Sequence, residues 1–293
     1  MRVFVTVEEE GGFAAASRKL DISPAAVTRA IVSLEEQLGV KLIQRTTRNL
    51  RLTDAGHQYY EDTKAILSRI AEANEAVSGA NVEPHGTLSV TASVLFGRLY
   101  VMPSIIDYMQ KYAKVKVIAH FVDRVTNIAE EGIDVAIRIG ELPDSSLRAI
   151  KVGQVRRVLC ASPAYLEKHG VPQQPEDLLK HAIISANSVS PRVEWRFGTE
   201  ENPQKLRMDP KLIVSSNDAA LAAALGGLGV TRLLSYQVKS EIEAGALALI
   251  LEDYEQAPWP IHVVHREDKL GSSKVRAFID GIVNDLRNHP NLQ

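Results

Sequence analysis

At 293 residues the chain is long enough for two or three domains, each with its own apolar core. Hydrophobic residues make up 45% and charged residues 24%, with a formal net charge of −2, an ordinary globular composition that excludes a disordered or fibrous protein. The single cysteine, Cys160, rules out an internal disulfide framework and fits a reducing compartment. The opening MRVFVTVEEEGGF turns acidic without a long apolar run, so no signal peptide is expected, and no stretch approaches the roughly 20 apolar residues of a membrane span. The expected location is the cytoplasm.

Residues 2–10 read as a first helix with Val3, Phe4 and Val7 turned inward, and 13–20 as a second, Ala-rich helix anchored by Leu20. Asp21-Ile22-Ser23 breaks the run. Ser23 then caps a new helix with Pro24 at its first position. In this third helix Val27, Ile31, Leu34 and Leu38 recur at spacings of four, three and four, which predicts a buried stripe. The opposite face carries Ala25, Thr28, Arg29, Val32 and Ser33. Small residues there allow close approach to base edges, and Thr28 and Arg29 supply a hydroxyl and a fork of donors for guanine or phosphate. A helical hairpin within a larger helical core would show the same periodicity, but the residues after Gly39 favour a DNA-reading unit. Two short β-prone runs, 40–43 and 50–53, flank a polar tip holding Arg45, Thr46, Thr47 and Arg48, like a wing beside the reading helix. From 18 to 51 there are seven basic residues against three acidic ones, a local +4 on a mildly acidic chain, as expected where phosphates are neutralised.

The run FAAASRKLDISPAAVTRAIVSLEEQLGVKLIQRTTRNLRLTDAG resembles the winged helix-turn-helix of the LysR-type transcriptional regulators. The resemblance implies that Ser23, Pro24, Ala25, Ala26, Thr28 and Arg29 lie at or beside the reading positions on double-stranded DNA. It places Arg45 and Arg48 on a wing contacting the backbone or minor groove. Relatives usually carry a few more residues before the first helix.

Thr53-Asp54 opens a long helix over 54–79, about 39 Å at about 1.5 Å per residue. Tyr59, Thr63, Ile66, Ile70, Ala73 and Val77 form a heptad seam, which points to a dimer through paired linker helices. The alternative is an amphipathic helix lying on its own domain. The family resemblance implies a homodimer or homotetramer, with RNA polymerase as a further partner.

NVEPHG at 81–86 reads as a hinge. Beyond it strands alternate with helices: strands at 88–92, 115–121 and 134–139, helices over about 96–112 and 125–131, then a strand at 156–161 and a helix from Ser162-Pro163. A second set comes after these, with strands at 181–185, 211–216, 229–234, 247–251 and 261–266, helices over about 218–225 and 235–244, and a final helix over 272–288. This predicts two α/β lobes with a cleft. Ligands in such sheets collect where strands end at helix starts, here Ala92-Ser93-Val94, Asp123-Arg124 and Ser215-Ser216-Asn217.

VTASVLFGR, NIAEEGIDVAIRIGELPDSSL and RRVLCASPAYL are similar to the effector domain of the same regulators. The resemblance implies a multi-domain α+β chain: a winged helix-turn-helix over 1–53, a linker helix over 54–80, and a two-lobed α/β domain like periplasmic binding proteins over 87–293. Lobe one is expected at about 87–161 and 267–293, lobe two at about 162–266. The resemblance also implies an effector site lined by Ser93, Val94, Arg124, Ile137, Arg138, Ser216, Asn217 and Thr231. Many relatives have a proline where this chain has Leu234-Ser235. Arg124 and Arg138 suit an anionic effector, since a guanidinium pairs bidentately with a carboxylate; either could equally be paired with a neighbouring acid.

Cys160 lies in an apolar strand and reads as core filling rather than a nucleophile with His181. His262 and His265 point to opposite faces of a strand, so no metal site is indicated, and no cofactor is expected. Gly226-Gly227-Leu228-Gly229 follows a helix and precedes a strand, the reverse of a dinucleotide fingerprint. The expected function is sequence-specific DNA binding modulated by a small molecule between the lobes, not catalysis. A solute-binding protein, or an α/β enzyme acting on a small metabolite, is the alternative.

Overall fold

Helix α1 (Arg2–Glu9) buries Phe4, Val5 and Val7 against α2 (Phe13–Leu20) and α3 (Pro24–Leu38). A computed structural model describes residues 1–45, 50–78, 83–124, 126–128, 130–142, 147–186, 193–198, 203–266 and 272–293. The chain divides into two compact units, Met1–Val82 with Gly271–Ser273, and Glu83–Leu270 with Lys274–Gln293.

In the first unit α2 is anchored by Ala16 and Ser17 rather than by Leu20, which is only half-buried. It ends on Asp21 in the left-handed region (φ 54°), where the Ile22 N–H bonds back to the Ser17 carbonyl. The Ser23 hydroxyl then accepts the Ala26 N–H at 3.2 Å and starts α3. The buried stripe of α3 is Val27, Ile31 and Glu35, not the expected Val27, Ile31, Leu34 and Leu38; Leu38 is 42% exposed. Strands β1 (Ile43–Arg45) and β2 (Leu50–Leu52) pair antiparallel and are shorter than expected. The side chain of Arg45 and all of Arg48, the expected wing arginines, lie outside the described residues.

Helix α4 (Asp54–Ser78) begins where the Thr53 hydroxyl accepts the Gly56 N–H at 2.9 Å. Gly56 is required by close approach: a Cβ there would stand 2.0 Å from the Leu42 carbonyl oxygen. The expected heptad seam divides. Tyr59 packs edge-on against Phe4 at 5.6 Å and Thr63 is buried, both belonging to the unit's own core with Leu67. Ile66 and Ile70, by contrast, are 44% and 52% exposed. The side chains of Ala73 and Val77 lie outside the described residues.

The second unit holds two five-stranded sheets. The first comprises β3 (Gly86–Ala92), β4 (Val115–Phe121), β5 (Val135–Ile139), β6 (Leu147–Val155) and β14 (Trp259–Arg266), in the order β4-β3-β5-β14-β6. The second comprises β7 (Arg157–Ala161), β8 (Ile183–Ala186), β11 (Leu212–Val214), β12 (Val230–Leu234) and β13 (Ala248–Ile250), in the order β11-β8-β12-β7-β13. In each sheet four strands run parallel and the fourth in the order, β14 in the first and β7 in the second, runs antiparallel between its two neighbours. The strand at 157–161 therefore pairs in the second sheet and the strand at 259–266 in the first, so the chain changes sheet after Val155 and again before Trp259. Both points differ from the lobe limits read from the sequence.

After β3 the chain passes through a turn of helix α5 (Val94–Phe96) and a wide π turn (Gly97–Val101) into α6 (Met102–Lys111). Helix α10 (Ser273–Arg287) sets Val275, Phe278, Ile279, Ile282 and Leu286 along one face and buries them in the core of the first sheet, each worth about 1.5–3 kcal/mol. The Ser104 hydroxyl donates to Asp285 at 2.6 Å, and the Tyr108 hydroxyl to the Lys274 carbonyl at 2.8 Å. The second sheet carries α7 (Pro163–His169), α8 (Asn217–Leu225) and α9 (Ser235–Glu243), and a separate hairpin of β9 (Val193–Phe197) and β10 (Gln204–Met208). The hairpin and β6 were not legible as strands. The described part of 125–131 forms turns, not the expected helix. There Asn127 Oδ1 and Glu131 Oε1 capture the N–H groups of Glu130 and Asn127 that a longer helix would use.

Candidate DNA-reading helix and effector cavity

On α3 the residues facing away from the core are those read as base-contacting. Pro24, Ala25 and Arg29 are exposed, and Ala26 and Thr28 half-buried. Ser23 spends its hydroxyl on the cap. Among the described residues Arg29 has no hydrogen-bond or ion-pair partner, so its guanidinium is available to an outside acceptor. What holds this helix to the wing was not read from the sequence. The Glu35 carboxylate is almost fully buried and accepts the N–H groups of Leu42 (2.9 Å) and Ile43 (3.1 Å) through Oε1 and the Lys41 ammonium (2.7 Å) through Oε2. Burial alone would raise its pKa, but Lys41 and the two backbone donors outweigh burial and hold the carboxyl below its usual value.

In the second unit a cavity of about 670 Å³ opens between the two sheets. Its wall includes Ser93, Arg124, Ile137, Arg138 and Asn217 from the expected set. Ser93 Oγ is buried at the wall beside the Tyr236 hydroxyl. Arg138, half-buried on β5, donates to the Thr126 carbonyl at 2.9 Å and to the Thr126 hydroxyl; burial pulls its pKa down, opposed by Glu131. Arg124 is committed elsewhere, gripping both oxygens of Glu131 at 2.8 and 2.7 Å and holding that carboxyl down at about 2.

Three expected residues stand outside the wall. Val94 turns its side chain to solvent and gives only its N–H, to Asp123 Oδ1 at 3.0 Å. Ser216 caps α8 by accepting the Ala219 N–H, and so sets Asn217 at the wall. Thr231 is buried and donates to the Ile184 carbonyl at 3.2 Å. Tyr236, Gln237, Trp259, Leu142 and Leu147 line the cavity and were missed. Tyr236 was within reach, because it follows the carboxyl end of β12 at the start of α9. Leu234 also lines the wall. Burial pushes the Tyr236 hydroxyl up to about 12, partly offset by Ser93.

Cys160 is buried and its thiol is pushed up to about 12 by burial. Among the described residues no group of three or more His, Cys, Asp or Glu side chains could hold a metal ion. No helix among them is long and apolar enough to cross a membrane.

A family model described as the LysR substrate binding domain matches residues 81–287, and another, described as the bacterial regulatory helix-turn-helix protein, lysR family, matches residues 1–57. The chain belongs to the LysR family of transcriptional regulators. It is 32% identical over 291 residues to the HTH-type transcriptional regulator CrgA of Neisseria meningitidis serogroup B, covering 99% of this chain and 97% of that one. It is 33% identical over 263 residues to an uncharacterized HTH-type regulator of Haemophilus influenzae, covering 90% and 91%. The solved structure of CrgA from Neisseria meningitidis matches with a TM-score of 0.63 at 32% identity over 98% of each chain. The full-length Vibrio cholerae virulence activator AphB matches at 0.61 and 27% identity over 97% of each. As a LysR-type regulator this chain binds DNA through its amino-terminal helix-turn-helix and carries an effector-binding domain typical of the family, one of regulators rather than enzymes.

Proposed function

We propose that this regulator responds to a small organic anion held in the cavity between its two sheets, and that the anion biases how a pair of reading helices engages two half-sites on DNA. The observation that carries this is Arg138. Its guanidinium is half-buried at the wall, hydrogen-bonded only to Thr126, with no carboxylate in ion-pair range among the described residues. A carboxylate or phosphate would supply the missing charge. Ser93, Asn217, Tyr236 and Gln237 orient the remainder, and Trp259, Leu142 and Leu147 offer an apolar surface to its body. Thr28 and Arg29 of α3 read base edges, with Pro24, Ala25 and Ala26 allowing close approach, and Arg45 and Arg48 on the wing grip the backbone.

Dimerisation through the distal part of α4, where Ile66 and Ile70 are exposed, would give the two-fold arrangement that paired half-sites require. Assembly to a tetramer and contact with RNA polymerase belong to this reading through the family resemblance. Effector binding acts by favouring one arrangement of the assembly over another.

The test is fluorescence anisotropy with DNA from upstream of the protein's own gene against a scrambled duplex, across a salt series, with and without each member of an organic-acid panel. The expected result is selective binding with a steep salt slope, altered by at least one acid. Arg29→Ala should cost about 1–3 kcal/mol on the specific duplex and little on the scrambled one. Response to neutral compounds alone would overturn the anionic reading, and unchanged binding by Arg29→Ala would overturn the docking.

A further inference from the structure

The second sheet carries a smaller recess, apart from the effector cavity, in which three arginines meet: Arg157 of β7, Arg196 of β9 and Arg232 of β12. Arg232 pairs in register with Leu159, two residues along from Arg157, so both arginine side chains leave the same face of the sheet. The β9 strand meets them there, its Arg196 carbonyl accepting from Arg232 Nη1 at 3.2 Å.

The charges do not balance. Arg157 lies over the Trp259 ring at 4.2 Å and donates to the Gln256 side-chain oxygen, and Arg232 stands 5.1 Å from the Trp195 ring centroid. Among the described residues no carboxylate is in ion-pair range of either. Glu255 lines the recess, but its Oε2 is drawn to Arg156 at 3.6 Å, and among the described residues neither its buried Oε1 nor the buried Arg157 Nε has a hydrogen-bond partner. Arg196 has only a 3.5 Å contact with Glu194. Burial, reinforced by Arg157, pulls the Arg232 guanidinium down to about 9. Guanidiniums buried without a counter-charge are costly, so the arrangement calls for an anion.

With Glu194 facing Arg196 and Glu255 facing Arg156, the guanidiniums of Arg157 and Arg232 leave two uncompensated positive charges, and the recess has room for about 10 Å³, a single oxygen-sized group. We propose that the recess binds a doubly charged oxyanion, phosphate or a phosphate monoester, which enters by one oxygen between Arg157 and Arg232 and is held from outside by Arg196. Such an anion fixes Arg157 against Trp259, which also lines the effector cavity, and so couples the two sites. This does not depend on the identity of the effector.

The experiment uses the full chain without DNA. Isothermal titration and tryptophan fluorescence are followed with inorganic phosphate, with glycerol phosphate as the monoester, and with chloride at matched ionic strength. Saturable phosphate binding with a change in tryptophan emission is expected, and Arg196→Gln should weaken it by about tenfold or more. Because Arg196 is exposed, its replacement should leave the circular dichroism unchanged. Tighter binding of the monoester would identify a phosphorylated metabolite, and tighter binding of inorganic phosphate the free anion; both support the site. No saturable binding would overturn the proposal and leave a bridging water as the occupant. Binding untouched by Arg196→Gln would also overturn it, assigning the phosphate to the basic reading head.

Discussion

Replacing Glu35 by glutamine tests how the wing is tied to the reading helix. The carboxylate takes two backbone N–H groups from Leu42 and Ile43, both buried, and one solvent-exposed ammonium from Lys41. A hydrogen bond to a charged group is worth about 1.5–3 kcal/mol and a neutral one about 0.5–1.5, so an amide oxygen accepting the same two donors forfeits about 2 kcal/mol in all. The exposed Lys41 contact adds at most about 1 kcal/mol. Glu35→Leu leaves both donors buried and unsatisfied and should cost about 2–6 kcal/mol. The chain's two tryptophans, Trp195 and Trp259, both lie in the second unit, so the two units can be followed separately. In urea, the part of the circular dichroism signal from the first unit should move to lower denaturant by about 2 M in Glu35→Gln, for a slope of about 1 kcal/mol/M. The tryptophan transition should stay in place. Because the folded-state pKa is depressed, the contribution of Glu35 is complete above the unfolded value of about 4.3 and is lost as pH falls through the folded value. The gap between wild type and Glu35→Gln should therefore close in acid. A tryptophan transition that moved equally, or a gap that widened in acid, would refute the assignment.

Three further outcomes are expected. Gly56→Ala should destabilise the first unit by about 1–3 kcal/mol, because its methyl would collide with the Leu42 carbonyl; thermal melting by circular dichroism reads this directly. Arg138→Met should weaken an anionic effector about tenfold or more in a thermal-shift titration, whereas Arg124→Ala, whose guanidinium is spent on Glu131, should change it by no more than about twofold. Cys160, buried with its thiol pushed up to about 12, should resist iodoacetamide at pH 8 in the native protein and react once the chain is unfolded in urea.

The reading helix was legible because its signals are local: Ser23 and Pro24 are neighbours, and Val27 and Ile31 are one turn apart. Glu35 escaped because its burial is decided by the amides of Leu42 and Ile43, partners that helical periodicity does not contain. Leu38 failed for the complementary reason, since its apolar character fitted the pattern but the described residues leave it 42% exposed. In the effector domain the rule that ligands collect where strands end picked out Ser93, Arg124 and Asn217 at the cavity. Thr231 has the right chemistry on the wrong face of β12, and alternation alone does not say which face meets the cavity. Trp259 was hidden because it belongs to a strand that returns to the first sheet from the second, a pairing fixed by β5 and β6 far away in the chain.

The divided face of α4 sets a rule for building hybrid regulators. Tyr59, Thr63 and Leu67 are part of the reading domain's own interior, so a graft that replaces the chain before Leu67 removes residues the DNA-binding fold needs, whatever sensor is attached. A junction beyond Leu67 keeps that interior whole and exchanges only the stretch available to a second copy. The working boundary for swapping sensors thus falls within a continuous helix, about halfway along it, rather than beyond its end.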